Sequence, residues 1–174
     1  MTTEGDVFIA DRFVADAWTH AVDGEPLPDG AVFLSKARFL AEKPALIGRT
    51  APLGLVLDPA DRLDDLADDI ARFAAIAVRF PRYGDGRGYS LARLLRERHG
   101  FTGELRAVGD VLWDQLEAFR RVGFDALVIE HAPTRARLAD GERPASPVWY
   151  QPAIGRESQA VPGRPWLRVP YQDA

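Results

Sequence analysis

A chain of 174 residues with 47% hydrophobic and 28% charged residues is long enough for one domain with a proper core and marginal for two. It has no cysteine, which excludes disulfides, thiolate nucleophiles and cysteine-ligated zinc or iron–sulfur centres. The net charge of −4 argues against generic nucleic-acid binding, no apolar run approaches the ~20 residues that span a bilayer, and the acidic start lacks the basic region of a signal peptide, so the cytoplasm is the expected compartment.

Residues 1–50 read as a small N-terminal β-rich layer. Val7 to Ala10 and Arg12 to Ala15 form an expected hairpin, and Asp23-Gly24 and Pro28-Asp29-Gly30 are turn signals. Ala31 to Leu34 reads as a strand, followed by a short helix near Lys36 to Glu42.

Residues 51–130 alternate regularly. Leu53–Leu57, Ala75–Phe80, Leu105–Val108 and Ala126–Ile129 read as buried strands. Between the first two, Asp61 is a plausible N-cap, with Leu63, Leu66, Ala67, Ile70 and Phe73 on one helical face and Asp64, Asp65, Asp68 and Asp69 on the other. Ser90 is placed as the cap of the next helix, which carries Leu91, Leu94 and Leu95 and is closed by His99-Gly100. Asp110 is placed as the cap of a third, with Leu112, Leu116 and Phe119 inward and Gly123 as its stop. The expected fold is therefore a single α/β domain over 1–152, built of repeated βα units on a mainly parallel sheet and partially TIM-barrel-like. The sheet closes on the N-terminal strands, stays open, or is completed by a second copy in a homodimer.

The last 44 residues hold seven of the 13 prolines. Val148-Trp149-Tyr150 reads as an edge strand. Residues 153–174 form a proline-rich arm, which lies along its own domain or a neighbouring subunit, or is disordered.

Chemistry concentrates between Arg79 and Arg106, where seven arginines face three acids in a chain that is acidic overall. The loop from Pro81 to Ser90 carries Gly84, Gly86 and Gly88 with Arg82, Asp85 and Arg87. Glycine N–H groups, a helix N-terminus, the Ser90 hydroxyl and a guanidinium fork together suit a small oxyanion. The candidate binding set is Arg82, Asp85, Gly86, Arg87, Gly88, Ser90 and Arg106, supported by Arg93, Arg96, Asp114 and Gln115. The competing reading is structural: Asp85 and Arg87 pair to stiffen the loop, and the glycines only make turns. No Walker A loop, GxGxxG fingerprint or Gly-x-Ser-x-Gly elbow is present. Asp110 and Asp114 share a helix face, but the helix dipole favours reading them as solvated first-turn acids, so no metal is assigned. His131 is a further residue that could face the site, and no cofactor is expected.

The run Phe80-Pro81, Asp85-Gly86-Arg87-Gly88-Tyr89-Ser90, Ala92 to Arg98, Gly103 to Val111, Asp114-Gln115 and Gly123-Phe124-Asp125-Ala126 resembles the DUF934 family. Asp16, Trp18, Leu53-Gly54, Leu57 and Tyr150-Gln151 resemble its weaker landmarks, so the likeness covers about residues 5 to 152. The resemblance implies a bacterial protein whose gene lies near those of sulfite reductase and phosphoadenylylsulfate reductase. Val122 stands where many relatives carry cysteine, so a thiol mechanism would fail here.

Three readings follow. The first is an accessory protein of assimilatory sulfur metabolism that binds a small oxyanion, or a reductase partner, at the arginine–glycine loop. The second is an oxidoreductase of sulfite reduction with a borrowed cofactor, Asp85 or Asp110 as acid–base and Tyr89 as proton donor. The third is a protein-interaction module without a small-molecule site.

Overall fold

The computed structural model describes residues 5–46, 48–144, 158–161 and 164–170. The chain opens with β1 (Asp6–Ile9) and β2 (Arg12–Ala15), a hairpin with Val7 opposite Val14 and Phe8 opposite Phe13. Its two-residue turn holds Ala10 at φ 48° and Asp11 at φ 62°, the left-handed geometry that matches the twist of paired strands. Next come β3 (Thr19–His20), β4 (Val32–Ser35), α1 (Lys36–Leu46), β5 (Leu53–Leu57) and β6 (Ala75–Phe80). α2 (Arg87–Arg93) runs directly into a π-helical segment, Leu94–Arg98. β7 (Glu104–Gly109) leads through a 3-10 turn, Trp113–Gln115, into α3 (Leu116–Arg121), β8 (Ala126–Leu127) and α4 (Ala132–Ala139). β9 (Ser158–Val161) and β10 (Arg164–Pro170) form a separate antiparallel pair.

Eight strands make one sheet in the order β2-β1-β8-β7-β6-β5-β4-β3, curled as half a barrel. Neighbours from β3 through β8 are parallel, whereas β1 is antiparallel to both β8 and β2. The sheet is therefore mixed rather than mainly parallel. The N-terminal strands are not a layer of their own: the β1–β2 hairpin extends one edge and β3–β4 the other. An exposed parallel edge carries unpaired N–H and C=O groups, and these short strands satisfy them.

Alternation along the strands sorts side chains onto two faces. On one face Leu34, Leu55, Leu57, Ile76, Val78, Phe80, Leu105 and Ala107 pack with Leu91, Leu95, Leu116 and Phe119 from the helices. On the other, Phe33, Val56, Ala75 and Ala77 pack with Trp18 and Val108. Gly54 makes that second face possible, because a Cβ there would lie 2.4 Å from the Phe33 ring. The ring cannot retreat: Trp18 lies 4.7 Å and His20 5.2 Å from it, centroid to centroid.

One expectation fails for a physical reason, and one element was not foreseen. Residues 61–73 form successive turns and one 3-10 turn, Ile70–Arg72, instead of an amphipathic helix capped by Asp61. Aspartates compete with the backbone for hydrogen bonds: Asp61 accepts from the Asp58 N–H at 2.7 Å. Leu63, Leu66, Ile70 and Phe73 are still buried, Ala67 is exposed, and Asp69 is buried against Lys43 (2.6 Å) and Arg72 (3.2 Å). After His131 the chain forms α4, an element the sequence reading did not place. Its cap is the His131 ring, which accepts from the Thr134 N–H at 3.3 Å, and Pro133 sits in the first turn where no N–H is needed. The expected strand Val148-Trp149-Tyr150 lies outside the described residues. Among the described residues no helix is long and apolar enough to cross a membrane.

Gly54→Ala is expected to lower unfolding stability by about 1–3 kcal/mol in urea denaturation, the cost of overpacking a filled core. Gly30→Ala, with no atom within 4 Å of the added carbon, is the control and should lie within about 0.5 kcal/mol of wild type.

Candidate functional site

The arginine–glycine loop joins β6 to α2 at the carboxyl ends of the parallel strands, where folds of this type place their ligands. Its floor is aromatic. Phe80 packs edge-on against Tyr89 (5.1 Å) and Phe119 (4.8 Å), and Tyr89 stacks on Phe119 at 5.1 Å. Gly88 exists for this floor, since a Cβ would meet the Phe80 ring at 2.5 Å. None of Gly84, Gly86 and Gly88 has positive φ. The positive φ falls at Gly109 instead (102°), where the chain passes so close to the Phe80 carbonyl that a Cβ would be 2.5 Å away. The Asp110 N–H donates to that same carbonyl at 2.7 Å.

Asp85 occupies the anion position of the loop. Its Oδ1 accepts from the Arg87 N–H (3.2 Å) and Nε (2.9 Å), and its Oδ2 from Arg87 Nη2 (2.7 Å). These bonds hold the Asp85 carboxyl down at about 2, so it is ionised at neutral pH and has no proton to give. α2 starts at Arg87, with Gly86 before it and no side-chain cap. Ser90 is therefore inside the helix and exposed, not its cap. Burial pushes the Tyr89 hydroxyl up to about 12, so it stays neutral.

Tyr83, which sequence reasoning missed, is strapped to the β7–α3 connection at three points. Its N–H donates to Asp110 Oδ2 (2.7 Å), its hydroxyl to Asp114 Oδ2 (2.6 Å), and its carbonyl accepts from Gln115 Nε2 (3.2 Å). The hydrogen bond to Asp114 and its charge push the Tyr83 hydroxyl up. Asp110 thus ties two loops together and caps no helix; the N–H of Leu112 is satisfied by Gln115 Oε1 at 3.0 Å. A tyrosine between Pro81-Arg82 and Gly84 was the one local signal.

The other expected residues scatter. Arg82 is exposed, and Arg93 pairs with Glu97 at 2.9 Å. Arg96 lies about 13 Å further along the helix than Arg87, at 1.5 Å per residue. There it donates to the carbonyls of Phe101 (2.6 Å), Gly103 (2.9 Å) and Gly123 (3.0 Å) and pairs with Asp125. Arg106 is 1% exposed and lies on the opposite sheet face from α2. It bonds Asp16 Oδ2 (2.5 Å) and Glu104 Oε1 (2.7 Å), with its guanidinium 5.2 Å from the Phe33 ring centre. Arg106 is thus not part of the loop. His131 caps α4, and no group of three His, Asp or Glu among the described residues could hold a metal ion.

These features define an α/β domain with a self-paired arginine–glycine loop at the carboxyl ends of its strands. The chain belongs to the DUF934 family, described as bacterial protein of unknown function, whose model matches residues 54–161. No curated protein and no solved structure matched it.

Two measurements follow. In a carbon-detected NMR titration the Asp85 carboxyl should show a midpoint near pH 2, moving towards 3.8 in Arg87→Gln. Because its folded value is depressed, the stability it contributes is complete above about pH 4 and is lost as pH falls towards 2. Arg106→Ala should cost about 3–5 kcal/mol in denaturant unfolding, because it empties the buried guanidinium site and leaves the partly buried Asp16 and Glu104 without their cation.

Proposed function

We propose that the protein is a cytoplasmic accessory factor of sulfite reduction that docks a reductase, sulfite reductase or phosphoadenylylsulfate reductase, through the exposed face of α2 and the loop before it. The pathway comes from the company the family's genes keep. The docking face comes from the geometry.

One observation carries the reading. Leu94 (43% exposed) and Tyr83 (51%) are two of only four exposed large hydrophobics among the described residues, and both sit among arginines. Arg87 and Arg93 are more than half exposed, and Ser90, Arg93, Leu94, Glu97 and Arg98 line an open groove of about 580 Å³. Arginine and aromatic anchors around an apolar centre are what protein interfaces favour. A free oxyanion would have to displace Asp85 from Arg87, whereas a partner displaces nothing. The half-barrel would then serve as a rigid frame, a partial βα barrel whose loops present this face, rather than as a catalytic cavity.

Binding to each reductase is measured by calorimetry at low and high salt. Wild type should bind, more weakly at high salt. Arg93→Glu/Arg98→Glu and Leu94→Asp should each weaken binding at least tenfold without lowering the melting temperature. No binding to either enzyme, or binding indifferent to these changes, sinks the docking reading. A melting shift with sulfite or sulfate that disappears in Arg87→Ala would place a free oxyanion at the loop instead.

A further inference from the structure

A cavity lies away from the docking face, at the seam where the antiparallel hairpin joins the parallel strands. β1 and β8 pair at only two positions, Phe8 with Leu127 and Ile9 with Ala126. Beyond that short ladder the walls part and leave a cavity of about 630 Å³, within the ~300–1,000 Å³ range of small-molecule sites. Phe8, Phe101, Phe124 and Leu127 form its apolar wall. Three of those four are rings, so the wall suits a flat aromatic body.

The charges at its mouth are shared rather than paired one to one. Asp11 is shared by two guanidiniums: it pairs with Arg120, and with Arg143 through Nε at 3.3 Å, while its carbonyl accepts from Arg143 Nη2 at 2.5 Å. The nearest other carboxylate to Arg120 is Glu117, at 3.7 Å and beyond hydrogen-bond length. Arg96 also lines the cavity, but its donors are taken by three backbone carbonyls and Asp125. Arg120 is therefore the guanidinium that can turn to a ligand, since Asp11 keeps Arg143 when it does. The rim carries the two-residue turn of the hairpin, Ala10 and Asp11, in the left-handed conformation such turns require.

We propose that this cavity binds a small aromatic acid, its ring against Phe8, Phe101, Phe124 and Leu127 and its carboxylate on Arg120. The site is independent of the reductase-docking face. Binding here would set the position of the β1–β2 turn, because the ligand carboxylate takes the guanidinium that Asp11 now shares.

The test is calorimetry with 2-naphthoate and, as the uncharged control, 2-naphthamide. Naphthoate should bind wild type at a single site and more tightly than the amide. Arg120→Gln should weaken naphthoate at least tenfold and leave the amide unchanged, which also reports that the cavity is still folded. Thr102→Trp, at an exposed lining position, should block both. Absence of naphthoate binding to wild type, or naphthoate binding undiminished in either variant, overturns the proposal.

Discussion

The buried guanidinium of Arg106 constrains the rest of the molecule. It stands in the middle of β7, on the sheet face away from the helices, and two carboxylates hold it, one from its own strand and one from far along the chain. Asp16 follows the hairpin at one edge of the sheet, and Glu104 begins β7 itself. Phe33 from β4 covers it, and small residues on the intervening strands, Gly54, Ala75 and Ala77, leave room for both large side chains. A one-residue slip of β7 would turn Arg106 into the apolar layer beneath α2, away from Asp16. The pair adds little net stability over an apolar filling, but its partial removal is costly, and that asymmetry makes the register unambiguous.

The same logic governs the loop above β6. A glycine-rich loop with arginines looks like an anion cradle because it offers donors in a compact space. Here the donors belong to Arg87 and the acceptor is the chain's own Asp85, held two residues away. Tyr83, fastened by Asp110, Asp114 and Gln115, fixes the rest of the loop to the next βα connection. The result is a stiff surface with exposed arginines and two exposed apolar side chains.

Much of the architecture was legible in the residues. β5 and β6 fall where their apolar runs place them, because strands buried on both faces need continuous hydrophobicity. The hairpin before Ala15 was legible too. The failures share a cause. Asp61, Ser90 and Asp110 each have the chemistry of a helix cap, and each is used otherwise or left exposed, because a cap is decided by where the backbone turns. The segment 61–73 keeps its apolar spacing of about three but not an α-helix, since four aspartates favour local turns over helical bonds. α4 was hidden by Pro133, which reads as a breaker unless it falls in the first turn.

By itself the sequence determined where the buried strands fall, the absence of thiol chemistry and the concentration of arginine between residues 79 and 106. These depend on composition and on periods of two to four residues, which neighbours in the chain enforce. Only the tertiary structure decided which charges meet. Arg106 finds Asp16 at a separation of 90 positions, and Arg120 finds Asp11 at 109. No local spacing encodes such pairs, because they form only after sheet order and register have brought the segments together. The cavity at the β1–β8 seam has the same origin: it is a gap between elements, and no single element carries its signal.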